Sequence, residues 1–174
     1  MSVPSPTIDS FEIARSRQRI EGEVAVARLP RLVEFLAAAD GALRYRIDGV
    51  IDDQGHPAAD LHLTGRLRLI CQRCNAPFDF ELDRTTRFRF VASEEELNVL
   101  PIEDDEIDAV VGSRTMNVHD WIEDEAILSL PLVPRHDECS PPLIVGSDPD
   151  SVAAPNPFAV LAGLRPDSDD EDRS

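Results

Sequence analysis

The chain has 174 residues, of which 42% are hydrophobic, enough for one globular domain with a real core. It contains no run of 18 apolar residues, which excludes a membrane-spanning helix, and its opening MSVPSPTIDSFEIAR lacks the basic and apolar regions of a secretory signal. The net charge of −17 is lopsided: residues 1–90 hold 13 arginines and 13 acidic residues, residues 91–174 hold 4 and 21. The second half should repel a polyanion and attract a basic partner, such as a ribosomal protein. All 17 basic residues are arginine, which genome base composition explains better than selection for phosphate contacts. Three cysteines cannot all pair, so reduced or metal-bound thiols in a cytoplasmic protein are expected.

Residues 1–10 read as an extended arm. Leu32, Val33, Phe35, Leu36 and Ala39 follow helical spacing from about Pro30 to Ala39, with Gly41 as a stop. Strand-like alternation follows, with Leu43, Tyr45, Ile47 and Ile51 on one side and Arg44, Arg46 and Asp48 on the other. A turn-rich stretch, Asp52 to Pro57, leads to a second alternating run. There Leu61, Leu63, Leu67, Leu69 and Cys71 oppose His62, Thr64, Arg66 and Arg68. Beyond Pro77 a third strand carries Phe78, Phe80 and Leu82, and either continues or restarts through Phe88 and Phe90.

Residues 94–106 include Glu94-Glu95-Glu96 and Glu103-Asp104-Asp105-Glu106 and read as a flexible acidic loop, before a short strand at Ile107, Ala109 and Val111. A helix is predicted from about Val118 to Leu130, stopped by Pro131 and Pro134. Trp121, Ile122, Ala126, Leu128 and Leu130 share its apolar face, Asp120, Glu123 and Asp124 lie opposite, and Glu125 falls among the apolar residues. Residues 140–155 read as a linker, and Asn156-Pro157 opens a short helix, Phe158 to Leu164. The pattern is that of an α+β fold: an antiparallel sheet of three or more strands with a few packing helices and disordered acidic segments. A single domain should span 1–165, followed by a disordered acidic tail at 166–174.

Two constellations carry chemistry. Cys71-Gln-Arg-Cys74 is a C-x₂-C pair, and His136-Asp-Glu-Cys139 repeats the same separation downstream. Together they supply the Cys₃His set that structural zinc prefers, provided the turn after the second strand meets the segment after the Trp121 helix. The plainer reading is unmetallated thiols, with Cys71 packed on the apolar strand face. Four protein ligands leave no open position for catalytic water. The second constellation is an arginine face: Arg44, Arg46, Arg66, Arg68, Arg87 and Arg89 all lie opposite the core residues. Such a face can follow a phosphate backbone. However, Asp48, Asp79, Glu81 and Asp83 share it, which favours cross-strand ion pairs, and the face lacks interleaved aromatics. Glu125 suggests a buried carboxylate paired with an arginine or with His136. No phosphate-binding, nucleophile-elbow or zinc-protease motif occurs, so nothing calls for an enzyme.

The motifs also occur in a recognisable order. Leu69-Ile70-Cys71-Gln72-Arg73-Cys74, then Glu123-Asp124-Glu125-Ala126-Ile127-Leu128-Ser129-Leu130-Pro131-Leu132-Val133-Pro134-Arg135-His136 with Cys139, then Asn156-Pro157-Phe158 through Leu164, resemble the YceD family. These are the large ribosomal RNA subunit accumulation proteins of bacteria, and the resemblance runs from about Ile8 to Leu164. It implies a non-enzymatic role in the synthesis, processing or stability of 23S ribosomal RNA during large-subunit biogenesis. Partners would be a large-subunit precursor or a basic ribosomal or assembly protein, with direct RNA contact as the alternative. Cys71, Cys74, Cys139 and Glu125 match positions marked in that family. His136 is the weakest of the four ligands, because its spacing to the last cysteine varies among relatives.

Overall fold

A computed structural model describes residues 6–99 and 107–140, all within one compact unit, Met1–Pro142; a second unit, Leu143–Ser174, lies outside the described residues. The predicted helix at 158–164, the linker beyond Ser140 and the acidic tail therefore fall outside the description.

Strand β1 (Thr7–Ile8) leads into helix α1 (Ser10–Ser16), whose N-terminus is capped by Asp9 accepting from the N–H groups of Phe11 and Glu12 at 3.0 Å. Strand β2 (Arg19–Ala25) follows, then a 3-10 turn at Val26–Arg28 and a single helical turn, α2 (Pro30–Val33). The helix predicted to reach Ala39 thus stops six residues early. The Leu32, Val33 and Leu36 pattern is met instead by tight turns, and the Ala37 N–H leaves to bond the Arg68 carbonyl of the sheet.

Three long strands come next: β3 (Ala42–Ile51), β4 (Pro57–Ile70) and β5 (Pro77–Val91). The third is one continuous strand rather than two. After α3 (Glu94–Val99), strand β6 (Ile107–Val111), strand β7 (Met116–Asn117) and helix α4 (Val118–Leu128) complete the unit. Part of the expected acidic loop is therefore helical. Ser93 and Glu96 form a reciprocal cap there, Ser93 Oγ accepting from the Glu96 N–H and the Glu96 carboxylate accepting from the Ala92 N–H.

The main sheet has the order β2-β3-β4-β5-β6, an antiparallel meander whose last strand, β6, joins β5 in parallel; β1 pairs β7 separately. The mixed α+β class is as expected. Period-two alternation holds along the meander because one face is buried: Leu43, Ile47, Leu61, Leu63 and Leu67 are almost fully enclosed. Helix α1 lies directly on β3. A Cβ at Gly49 would come within 2.0 Å of the Ile13 carbonyl oxygen, so only glycine permits that approach. Helix α4 covers the other end of the core with Val118, Trp121, Ile122 and Ala126 buried, while Leu128, assigned to the apolar face, is 79% exposed.

Candidate metal centre

The residues between β4 and β5 form a tight turn. The Cys71 N–H donates to the Ala76 carbonyl at 3.0 Å, the Asn75 N–H donates to the Cys71 carbonyl at 2.9 Å, and Asn75 takes the left-handed φ of 59°. Asparagine tolerates that conformation better than most residues, which is why the turn closes without glycine. The consequence is that both cysteines of the C-x₂-C pair face one point.

The segment after α4 reaches that point. The Gln72 N–H donates to the Pro134 carbonyl at 2.9 Å, and Arg73 Nη1 donates to the Cys139 carbonyl at 2.9 Å. Cys71 Sγ then lies 3.6 Å from Cys139 Sγ, and Cys74 Sγ lies 3.4 Å from His136 Nδ1. All four ligand atoms lie within 4.8 Å of one another. The sulfurs are too far apart for a disulfide, and the cysteines are free. A tetrahedral zinc with Zn–S near 2.3 Å and Zn–N near 2.05 Å requires edges of about 3.8 Å between sulfurs and about 3.6 Å between sulfur and nitrogen. The donor set and its spacing fit a metal ion of that kind.

Electrostatics at the cluster point the same way. Burial opposes a thiolate at Cys71, but N–H donors of His136, Arg73 and Cys74, with the His136 side chain, outweigh it and bring its pKa down to about 5. Cys139 moves up to about 11, first through burial and then through the Cys71 and Cys74 side chains, against the nearby Arg73 charge. One thiolate is thus favoured and the next is resisted by its neighbours. A divalent cation among them removes that repulsion. The ring of Phe78 packs on His136 at 5.0 Å between centroids and fixes its orientation.

The arginine face is placed as the alternation predicts, but it is largely paired. Arg46 meets Asp48 at 2.9 Å, Arg66 meets Glu81 at 2.9 Å, and Arg87 grips Asp60 through two bonds of 2.7 and 2.8 Å. Register also sets Glu21 opposite Arg46 and Glu23 opposite Arg44. Arg89 departs from the expected exposure: it is buried, donating to Asp52 at 2.7 Å beneath the β3–β4 turn. Arg44, Arg66 and Arg68 are exposed, and Arg44 and Arg68 make no ion pair among the described residues.

Two carboxylates of α4 are buried. Glu125 accepts from the hydroxyl of Thr86, lies 3.9 Å from Arg84 Nε and is 3.4 Å from Ser129 Oγ, so an arginine is its partner and His136 is not. Glu123, expected on the polar side, is enclosed instead. It accepts from the N–H groups of Arg31 and Leu32 at 2.7 and 3.1 Å and pairs with the Arg31 guanidinium at 3.0 Å. It caps the one-turn helix α2 from another helix, a role that helical periodicity within α4 cannot reveal.

Comparison with known proteins places these residues in a family context. The family model described as large ribosomal RNA subunit accumulation protein YceD matches residues 59–165, a range holding the four-residue cluster and Glu125. The chain is also similar to a Haemophilus influenzae protein named large ribosomal RNA subunit accumulation protein YceD. The two are 31% identical over 168 residues, 91% of this chain and 94% of that one. No solved structure matches. The ordered motifs, the family match and the full-length similarity agree, and the chain belongs to the YceD family.

Proposed function

We propose that this protein is a non-enzymatic factor supporting accumulation of large-subunit ribosomal RNA, acting through protein contacts made by its acidic half. Family membership carries this reading, since the curated relative bears that role in its name. The charge split supports this mode of action: 21 of the 34 acidic residues, against 4 of the 17 arginines, lie in residues 91–174, a composition that suits a basic ribosomal or assembly protein. The Cys71, Cys74, His136 and Cys139 cluster acts as a structural zinc site that braces the β4–β5 turn against the chain after α4. Cytoplasmic location fits a ribosome-linked role, and no helix among the described residues is long and apolar enough to cross a membrane.

The test is a strain lacking the gene. The ratio of 23S to 16S ribosomal RNA should fall and recover with the wild-type chain, and purification of the tagged chain should bring down a large-subunit precursor or a basic protein of that particle. An unchanged ratio would sink the reading. The exposed Arg44, Arg66 and Arg68 favour a second reading, direct RNA contact by the sheet face. It predicts binding that weakens steeply with salt and is lost in Arg44→Glu with Arg68→Glu.

A further inference from the structure

A groove of about 620 Å³ lies beside α4, walled on its other sides by β5, β6 and β7. Phe88, Val110, Met116, Trp121, Ile127 and Leu128 give it an apolar lining, and Leu128 is 79% exposed beside it. Asp120, Asp124 and Glu125 also line it, against one cation, Arg31. That guanidinium is shared between Glu123 and Asp124, and Arg84 partners the buried Glu125, so the excess negative charge lies on the exposed rim, at Asp120 and Asp124. Strand alternation and register put Asp108 on the same face of β6 as Val110, adding a further exposed acid.

Trp121 anchors the groove. Its ring meets Phe88 and Phe90 edge-on, at 5.1 and 5.9 Å between centroids, and is held rigidly. Its indole Nε1–H is buried and has no acceptor among the described residues. An apolar lining that includes a rigid aromatic, with an acidic rim, is an arrangement that accepts a bulky side chain flanked by cations. The same rim repels a phosphate backbone. The metal centre uses none of these residues.

We infer that this groove is a docking site for a basic polypeptide segment, which seats one large apolar side chain against Trp121 and places lysine or arginine side chains over Asp120 and Asp124. The inference rests on the protein-contact reading above and locates that contact on the molecule.

Trp121 is the single tryptophan of the chain, so its emission reports directly on the groove. The full chain is titrated with individually purified large-subunit ribosomal proteins that lack tryptophan, and with synthetic peptides covering their lysine- and arginine-rich segments. One of them should give a saturable shift. Leu128→Arg and Asp120→Asn, both at exposed positions, should each weaken it about tenfold, as loss of an interface anchor does, with the urea midpoint unchanged. Arg44→Glu, on the opposite sheet face, should leave the affinity as it was. No saturable shift with any member of the panel, or equal affinity in the groove variants, overturns the proposal. So does a shift given by ribosomal RNA alone, or a dimer of this chain that Leu128→Arg dissolves. In the gene-deletion strain, full rescue of 23S RNA by Leu128→Arg would remove the groove and leave the functional reading standing. A deletion strain with normal 23S RNA would remove the reading itself, whatever binds the groove.

Discussion

At the residue scale, buried carboxylates do much of the organising. Glu123 holds two backbone N–H groups and a guanidinium at once, and its removal strands the buried Leu32 N–H without an acceptor. Glu123→Ala should cost about 3 kcal/mol in urea unfolding, and Glu123→Gln, which keeps an acceptor, about half of that. Asp52 is the second case. Burial works against its charge, but the His56 N–H, the Arg89 guanidinium and the Gln54 N–H together hold its pKa below the usual carboxylate value. Asp48 is lowered in the same way by Arg19 and Arg46, again against burial. For a carboxylate lowered in the folded state, its stabilising contribution is complete above the unfolded value near 4 and disappears as pH falls through the folded value. Stability should therefore drop below about pH 4. Asp52→Asn should lose about 3 kcal/mol at pH 7. The gap between variant and wild type should close in acid, as urea midpoints taken across pH would show.

At the element scale, the strands with one buried face were the legible ones. Leu43, Tyr45 and Ile47, then Leu61, Leu63, Leu67 and Leu69, declare their pleat because each alternates with polar neighbours. The continuity of β5 was hidden by Asp83-Arg84-Thr85-Thr86. Arg84 and Thr86 take core-side positions in order to serve Glu125, so hydrophobicity vanishes where the strand does not. Helix α2 is shorter than its pattern for the opposite reason: the apolar residues at helical spacing beyond Val33 serve turns. Helix α1 and β2 carry local signals of their own, the Asp9 cap and the Ile20, Gly22, Val24 alternation, within a stretch too short and too polar to stand out by hydrophobic periodicity. Both cysteine clusters were visible as ligands, yet their meeting depends on Gln72 finding Pro134, a pairing that no local pattern encodes. The brace is tested at this scale. Protein purified without chelator should carry about one zinc per chain. Cys74→Ser should release it and lower the urea midpoint to that of chelator-treated wild type. Metal-free protein with an unchanged midpoint would leave only packed thiols.

At the scale of the whole molecule, the two faces of the sheet divide the labour. One face is the core beneath α1 and α4. The other is a lattice of arginine–carboxylate pairs, among them the two-bonded Arg87–Asp60 contact, which neutralises charge locally. Exposed pairs of this kind add little stability. Their effect is to leave the acidic excess to the other half of the chain. The family assignment rests on this same scale, since each motif alone is modest and their order along the chain is specific.

The Cys₃His cluster also joins residues far apart in sequence: Cys71 and Cys139 are 68 positions apart, Cys74 and His136 are 62 apart. A bound ion would therefore act as a reversible cross-link around β5, β6, β7 and all of α4. Closing a loop of that length in an unfolded chain costs about 4 kcal/mol of entropy, a cost that a pre-formed link removes. The last ligand also emerges from the ribosome only after every strand and helix described here has been synthesised. With a metal bound there, its capture would be the final act of folding, and the amount of folded protein in a cell would follow the supply of free metal by mass action.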